Sequence, residues 1–77
     1  MKIKLEFFGQ LVEITGSSKL EMDEVSDTDS LMKKIENDFP KLKNHKILIA
    51  VNKKIIKENQ KLETGSEVAL LPPFAGG

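Results

Sequence analysis

The 77-residue chain contains neither cysteine nor arginine. Without cysteine it has no disulfide framework, no thiolate nucleophile and no cysteine-based zinc site, which is consistent with a reducing, intracellular compartment. Without arginine it lacks the planar guanidinium that binds phosphate or carboxylate through two parallel hydrogen bonds. If this protein meets a nucleotide, we therefore expect a partner protein to supply the phosphate contacts.

The chain also lacks an excess of either charge and any long hydrophobic run. Twelve lysines balance twelve acidic residues, which argues against binding to nucleic acid or to anionic membranes driven by net charge. The first apolar stretch is interrupted by Glu6 and Gln10, so it is too polar for a signal peptide or a membrane span. We expect a cytoplasmic protein with no nucleic-acid partner and no membrane partner.

Conventional catalytic sets are missing too. His45 is the single histidine and lies in a polar, lysine-containing stretch, which is more typical of a solvated loop than of a general base. Asp27 and Asp29 fit helix capping better than acid–base chemistry. Apart from the last two, the glycines occur singly, so no phosphate-binding loop is present. We expect no metal site, and a chain that is not an enzyme on its own.

What the sequence does contain is the hydrophobic periodicity of a small α+β domain. Alternating apolar residues predict strands, and apolar residues spaced by four predict a helix. The predicted elements are a strand at 2–8, a helical turn at 11–14 ending at Gly16, a strand at 19–22, a helix whose cap and first turn lie within 26–30 and which ends near Asp38 or Phe39, before Pro40, a strand at 47–51, an edge strand at 55–56 and a strand at 67–71. Every residue in 47–51 is apolar, so the pattern does not show which of these side chains face inward.

These few elements are most economically packed as one helix across one mixed sheet. A right-handed crossover then places the last strand beside the first, in parallel, at the centre of the sheet. The predicted fold is thus an α+β β-grasp, or ubiquitin-like, domain with about five strands and one main helix on one face. We predict one domain over residues 1–77, with a flexible C-terminal tail at 72–77.

The alternation of the last strand places Val68 and Leu70 on one face, and Ala69 and Leu71 on the other. If the single helix covers the first face, the second apolar pair has no cover from a helix. Either loops shield this pair, or it belongs to a contact patch for a partner, continued by Phe74.

The chain closes on Pro72-Pro73-Phe74-Ala75-Gly76-Gly77. Taken alone, two final glycines are typical of a frayed end. However, residues without a Cβ can also pass through narrow channels where a branched side chain would clash. The two prolines fix φ and stiffen the exit from the last strand. Together with the aromatic residue, they favour a tail that is inserted into a partner and presents the Gly77 carboxylate for activation.

In these features the chain resembles the small subunits of molybdopterin synthase, a family of ubiquitin-like sulfur carriers. The matching segments are 7–11, 13–16, 50–52, 62, 65–69 and 72–77, which together span nearly the whole chain. The double proline before Gly-Gly is the specific signal, since Gly-Gly alone fits any ubiquitin-like carrier. The chain departs from the family pattern at Ser66, where an acidic residue is usual, and at Phe74, where a β-branched residue is frequent.

The resemblance implies that an adenylyltransferase similar to ubiquitin-activating enzymes uses ATP to adenylate the terminal carboxylate. A sulfurtransferase then supplies the sulfur of a thiocarboxylate. It further implies that the large subunit holds the catalytic residues and accepts this sulfur onto cyclic pyranopterin monophosphate, forming the dithiolene of molybdopterin. The implied assembly is a heterotetramer of two small and two large subunits, and no cofactor is bound permanently.

The resemblance also assigns roles to residues of the last strand and the tail. Gly77 would carry the acyl adenylate and then the thiocarboxylate, and Gly76 and Ala75 would thread through the tunnel of the large subunit. The residues implied to contact the partner are Phe74, Pro73, Leu71 and Ala69.

Other functions fit the same residues. The carrier chemistry could serve thiamine, cysteine or tRNA thiolation, although the Pro-Pro-Phe segment disfavours the thiamine carrier. A ubiquitin-like modifier would join Gly77 to lysines of other proteins, and an interaction module of this fold would keep an inert tail. Within the molybdopterin hypothesis, the residues leave open molybdenum or tungsten as the final metal, the identity of the sulfur donor, and the oligomeric state of the chain alone.

Overall fold

The computed structural model describes residues 2–73 and contains the predicted elements in the predicted order. Their bounds are β1 Lys2–Phe7, α1 Gln10–Thr15, β2 Lys19–Asp23, α2 Thr28–Asp38, a 3₁₀ helix Pro40–Asn44, β3 Leu48–Val51, β4 Lys54–Ile56 and β5 Glu67–Leu71. The strand and helix predictions are confirmed to within about one residue at each end. The 3₁₀ helix is additional: Pro40 ends α2 as predicted, but its fixed φ also suits the first position of a new helical turn.

The five strands form one mixed sheet in the order β2-β1-β5-β3-β4. The central strand β5 lies parallel to β1 and antiparallel to β3, and the two outer pairings are antiparallel. The parallel pair requires a crossover connection, and α2 lies within it. This topology confirms the predicted ubiquitin-like β-grasp fold.

The cap residues before α2 act as predicted. Asp27 occupies the N-cap position, and its Oδ1 accepts a hydrogen bond of 2.9 Å from the Ser30 backbone N–H. This bond satisfies one of the backbone donors that the first turn of a helix leaves free. Leu31 and Ile35, spaced by four, are fully buried on the helix face that meets the sheet.

The core lies between the sheet and the helices, on one face of the sheet only. Its buried members are Ile3, Leu5, Phe7, Leu11, Met22, Val25, Leu31, Ile35, Leu42, Val51, Leu62, Val68 and Leu70. The Phe7 ring also meets the Phe39 ring edge to face, with 6.4 Å between the centroids. Leu62, in the polar connection before β5, is also buried here.

Pairing with β5 decides which residues of β3 face inward. Val51 and Ile49 lie opposite Val68 and Leu70, and both contact the core. Leu48 and Ala50 therefore point to the other face. Among residues 2–73, no helix has the length and apolar character needed to cross a membrane.

Candidate functional site

One face of the sheet is left without a helix in the described part of the chain. The buried apolar residues of α1, α2 and the 3₁₀ helix belong to the same core cluster as Val68 and Leu70, so these helices pack on the face that those two residues share. Ala69 and Leu71, which alternate with them, remain half-buried. We call the face that carries Ala69 and Leu71 the open face.

The strand register brings further apolar residues to the open face. Ala50 lies opposite both Ala69 and Ile55, while Leu48 lies opposite Leu71. Phe8 comes directly after Phe7, the inward-facing last residue of β1, and therefore lies on the side of the open face. Phe8 is 39% exposed and Ile55 is 60% exposed. We define the apolar patch as Phe8, Leu48, Ala50, Ile55, Ala69 and Leu71.

Sequence analysis placed two residues of this patch, Ala69 and Leu71, in a partner-binding surface. The structure brings these two together with Leu48, Ala50 and Ile55, which the sequence analysis missed. Their contribution depends on the pairing of β3 with β5, and hydrophobic periodicity does not reveal that register. Phe8 was the detectable member, because it continues the alternation of β1 on the outward side.

The other half of the open face is charged. A shallow depression there is lined by Lys4, Glu6, Lys19, Glu21 and Glu67, with Leu5 and Leu20. Across β1 and β2 the charges alternate in sign, because Lys4 lies opposite Glu21 and Glu6 lies opposite Lys19. The apolar patch is therefore confined to the β5, β3 and β4 side of the face, with Phe8 beside the end of β5.

The base of the predicted tail lies at the edge of this patch. Leu71 ends β5, and Phe8 N–H donates to the Leu70 carbonyl with a distance of 3.1 Å. Pro72 is buried and Pro73 is exposed. Pro72 packs on Gly9 so closely that a Cβ at Gly9 would lie 2.8 Å from Pro72 Cγ. The chain therefore leaves the sheet from a fixed point beside Phe8 and Leu71.

The remaining predicted site residues, Phe74, Ala75, Gly76 and Gly77, lie outside the described residues. Their roles in partner contact, threading and sulfur transfer stay predictions. The same holds for the flexibility predicted for the tail, of which Pro72 and Pro73 are the described part.

The titratable residues of the described chain do not form a second site. His45 is exposed, as predicted for a loop histidine. Among residues 2–73 there is no group of three or more histidine, aspartate and glutamate residues placed to hold a metal ion. Hydrogen bonds from Ser30, and then from the Asn59 side chain, lower the pKa of Asp27 below its usual value. This carboxylate caps α2 on the covered side of the sheet, away from the apolar patch.

Comparison with known proteins gives the same family from sequence and from structure. The profile of the ThiS family matches residues 5–77. The molybdopterin synthase sulfur carrier subunit of Mycobacterium tuberculosis is 29% identical over an alignment of 82 positions, gaps included. The alignment covers 100% of this chain and 99% of that protein. These matches confirm the resemblance that the sequence motifs indicated.

Two solved structures extend the comparison to the fold. Subunit 1 in the complex of subunits 1 and 2 of molybdopterin-converting factor from Helicobacter pylori is 28% identical, with a TM-score of 0.74 and full coverage of both chains. A Pyrococcus furiosus protein, provisionally named molybdopterin converting factor subunit 1, superposes with a TM-score of 0.88 at 21% identity, covering 95% of this chain and 98% of that chain. With a family profile matched over nearly its whole length, and with the β-grasp sheet of these structures, the chain belongs to the ThiS family.

Proposed function

We propose that this chain is the sulfur carrier subunit of a molybdopterin synthase. The observation that carries the proposal is the position of the tail base: β5 leads into Pro72 at the edge of the apolar patch, in which Phe8 and Ile55 are exposed. A partner that covers this patch receives the residues that follow, including the Gly-Gly end. The family profile, which matches this chain through residue 77, and the relatives named as molybdopterin synthase sulfur carrier subunits support this assignment.

In this proposal the chain contributes a carboxylate and a docking surface, and its partners contribute the catalysis. The Gly77 carboxylate attacks the α-phosphorus of ATP in an adenylyltransferase, which releases pyrophosphate and forms an acyl adenylate. A carboxylate oxygen is a poor leaving group, but AMP is a good one, so hydrosulfide supplied by a sulfurtransferase then displaces AMP and leaves a thiocarboxylate. The chain needs no permanently bound cofactor for these steps.

The large subunit of molybdopterin synthase is the proposed acceptor. The Helicobacter pylori protein forms a complex with subunit 2 of its own factor, and we place the corresponding contact of this chain on the apolar patch and the tail. Gly76 and Ala75 thread to the active site, where Gly77 gives its sulfur to cyclic pyranopterin monophosphate. Phe74 and Pro73 extend the contact made by Ala69 and Leu71. The proposed assembly is a cytoplasmic heterotetramer of two small and two large subunits.

The decisive experiment is an intact-mass measurement on the full chain. Incubation with the adenylyltransferase, ATP and a sulfur donor is expected to add about 16 Da, because sulfur replaces one carboxylate oxygen. Deletion of Gly77 is expected to abolish this gain and the formation of molybdopterin, while the thermal unfolding midpoint stays unchanged. A Gly76→Val variant, whose branched side chain obstructs threading, serves as the matched variant that retains the terminal carboxylate.

Two results would contradict the proposal. One is molybdopterin formation by the Gly77-deleted chain in a reconstituted assay. The other is an unchanged mass for the wild-type chain under conditions that load a known sulfur carrier. An isopeptide bond between Gly77 and a lysine of another protein, without any thiocarboxylate, would instead identify a protein modifier.

A further inference from the structure

The lysines of this chain are strongly segregated, although its net charge is zero. Between residues 39 and 57 the sequence contains six lysines and no acidic residue. The rest of the chain contains the other six lysines and all twelve acidic residues, so it carries a net charge of −6 that offsets the +6 of this segment. We call residues 39–57 the basic segment.

The basic segment comprises the 3₁₀ helix, β3, the turn at Asn52 and Lys53, and the edge strand β4. The 3₁₀ helix, with Lys41 and Lys43, packs with α1 and α2 on the covered side, whereas the rest of the segment lies at one edge of the sheet. Ile56 lies opposite Ile49, so β4 ends beside the start of β3. Since Leu48 lies opposite Leu71, this end of the edge is also where β5 leads into the tail.

Lysines therefore border the apolar patch on its β4 side. Lys46 precedes β3 by two residues and Lys57 directly follows β4, so both lie at the end of the sheet from which the tail leaves. Lys53 and Lys54 lie at the opposite end of β4, where Lys54 pairs with the inward-facing Val51, so the Lys54 side chain lies on the covered side of this edge. Ile55, between the two groups, is the most exposed residue of the patch.

None of these lysines is neutralised by the described chain. All six lysines of the basic segment are exposed, and the one ion pair found among residues 2–73 joins Lys2 to Glu21 at 3.9 Å, on the far side of the sheet. A row of like charges along an edge strand also opposes pairing of that edge with a second copy of the chain. The edge is thus suited to a partner of opposite charge.

We propose that Lys46, Lys53 and Lys57, at the β4 edge, form an electrostatic docking rim for an acidic surface on the large subunit. This inference rests on the proposed function and specifies the chemistry of its partner surface. Protein interfaces commonly combine an apolar centre with a charged rim, and here the apolar patch supplies the centre and these three lysines the rim. Because rim charges act at a distance, they increase the association rate and orient the partner toward the tail.

A protein partner fits this edge better than a nucleic acid. The lysines flank an exposed isoleucine instead of forming an uninterrupted polar surface. A nucleic-acid phosphate backbone would leave that apolar surface uncovered, and the net charge of −6 on the remainder of the chain would repel it. An acidic protein surface with an apolar centre covers both parts of the site.

The test is the rate at which the full chain associates with the large subunit from the same organism, measured by stopped-flow fluorescence over a range of ionic strength. The Lys46→Glu/Lys57→Glu variant is expected to associate at least about tenfold more slowly at low salt, with a dissociation rate within about threefold of wild type. The wild-type association rate should fall as salt screens the rim, and the variant should lose this dependence. A Lys46→Gln/Lys57→Gln variant should fall in between.

The matched control is Lys33→Glu/Lys34→Glu, which makes the same change in net charge on α2. Both lysines are exposed on the covered side of the sheet, so this variant is expected to change the association rate by less than about threefold. Thermal unfolding midpoints establish that both variants are folded. Equal slowing by the two charge reversals would show a net-charge effect and overturn the inference, as would unchanged rates for the Lys46→Glu/Lys57→Glu variant.

A nucleic-acid role has its own signature in the same experiment. If the edge variant bound the large subunit like wild type but lost affinity for a fluorescent single-stranded RNA, the edge would be a nucleic-acid site and the docking rim would be refuted. Failure of the wild-type chain to bind the large subunit at all would refute the proposed function first. The two failures are therefore distinguishable.

Discussion

At the scale of single residues, Gly9 is the position where backbone conformation and tertiary packing both exclude a side chain. Its φ of +59° and ψ of −138° lie in a region that other residues rarely adopt. A Cβ there would also lie 2.8 Å from Pro72 Cγ, well inside normal contact distance. Because Pro72 begins the tail, Gly9 determines how closely the tail base packs against the domain.

We predict that Gly9→Ala lowers the free energy of unfolding by about 2–4 kcal/mol, because it combines backbone strain with a steric clash. Gly16→Ala is the control, since Gly16 also has a positive φ, of +75°, but a Cβ there would contact nothing within 4 Å. The control should cost only about 1–2 kcal/mol, the penalty of a left-handed conformation. Urea denaturation measures both values.

The clash itself is isolated by adding Pro72→Ala, which removes the ring atom that the new Cβ would meet. Pro72→Ala should lower the free energy of unfolding by about 1 kcal/mol less in Gly9→Ala than in wild type, or should even raise it. Equal losses for Gly9→Ala and Gly16→Ala would show that the packing against Pro72 contributes nothing.

Gly9 also illustrates what a sequence conveys about single residues. The break that it makes after β1 was predictable from the end of the alternation. Its contact with Pro72 was not, because the two residues lie near opposite ends of the chain and meet only when β5 pairs with β1. Likewise, Asp27 was recognisable as a cap residue, whereas its tertiary partner Asn59 was not.

At the scale of elements, the start of α2 is tied to the loop before β5. Asn59 Nδ2 donates to Asp27 Oδ2 at 3.1 Å, and Asn59 Oδ1 accepts from the Thr28 hydroxyl and from the Asp29 backbone N–H. Further backbone bonds join Thr28 to Gln60 and Leu62 to Ser26. The cap of the helix is thereby also a tertiary connection that holds the long crossover in place.

This connection depends on the charge of Asp27, which leads to a prediction about pH. Hydrogen bonds from Ser30 and Asn59 lower the pKa of Asp27 in the folded state below its usual 3.8. The stabilisation is therefore fully present above pH 3.8 and is lost as the pH falls through the folded-state value. We predict that Asp27→Asn reduces the loss of stability between about pH 5 and pH 2, measured by urea denaturation across that range.

The Asp27→Asn variant should also be less stable at neutral pH. Its new amide N–H group would face the Asn59 amide N–H group, and Asn59 cannot reverse its amide without losing the bonds to Thr28 and Asp29. Asp29→Asn is the control, since it removes a carboxylate of the same first turn that accepts no hydrogen bond within the described chain. A pH profile of Asp27→Asn parallel to that of wild type would refute the prediction.

The elements themselves were largely predictable, and their pairing was predictable in part. Strand and helix positions follow from hydrophobic periodicity, and the central position of β5 follows from the handedness of the crossover. The inward face of β3 did not follow, because all four of its residues are apolar and only the pairing with β5 separates them. For this reason only Phe8, Ala69 and Leu71 of the apolar patch could be recognised from the sequence.

At the scale of the whole molecule, the sheet has one face that stabilises the fold and one that is available for binding. Two neighbouring residues of β4 lie on these two different faces. Ile56 is half-buried and packs against the core, while Ile55 is 60% exposed beside Ala50 on the open face. The same substitution at these two neighbours should therefore affect different properties of the protein.

We predict that Ile55→Ser weakens binding to the large subunit by about 1–3 kcal/mol, as expected for an apolar residue near the centre of an interface. Replacing isoleucine by serine lowers the strand propensity at both sites alike. Apart from this shared loss, Ile55→Ser should change the free energy of unfolding by no more than about 0.5 kcal/mol. Ile56→Ser should show the reverse, with a stability loss of about 1–2 kcal/mol from the lost burial and unchanged binding. Calorimetric titration gives the affinities, and urea denaturation gives the stabilities. Wild-type affinity in Ile55→Ser would mean that the contact surface ends at β3, and the partner would then rely on β5 and the tail alone.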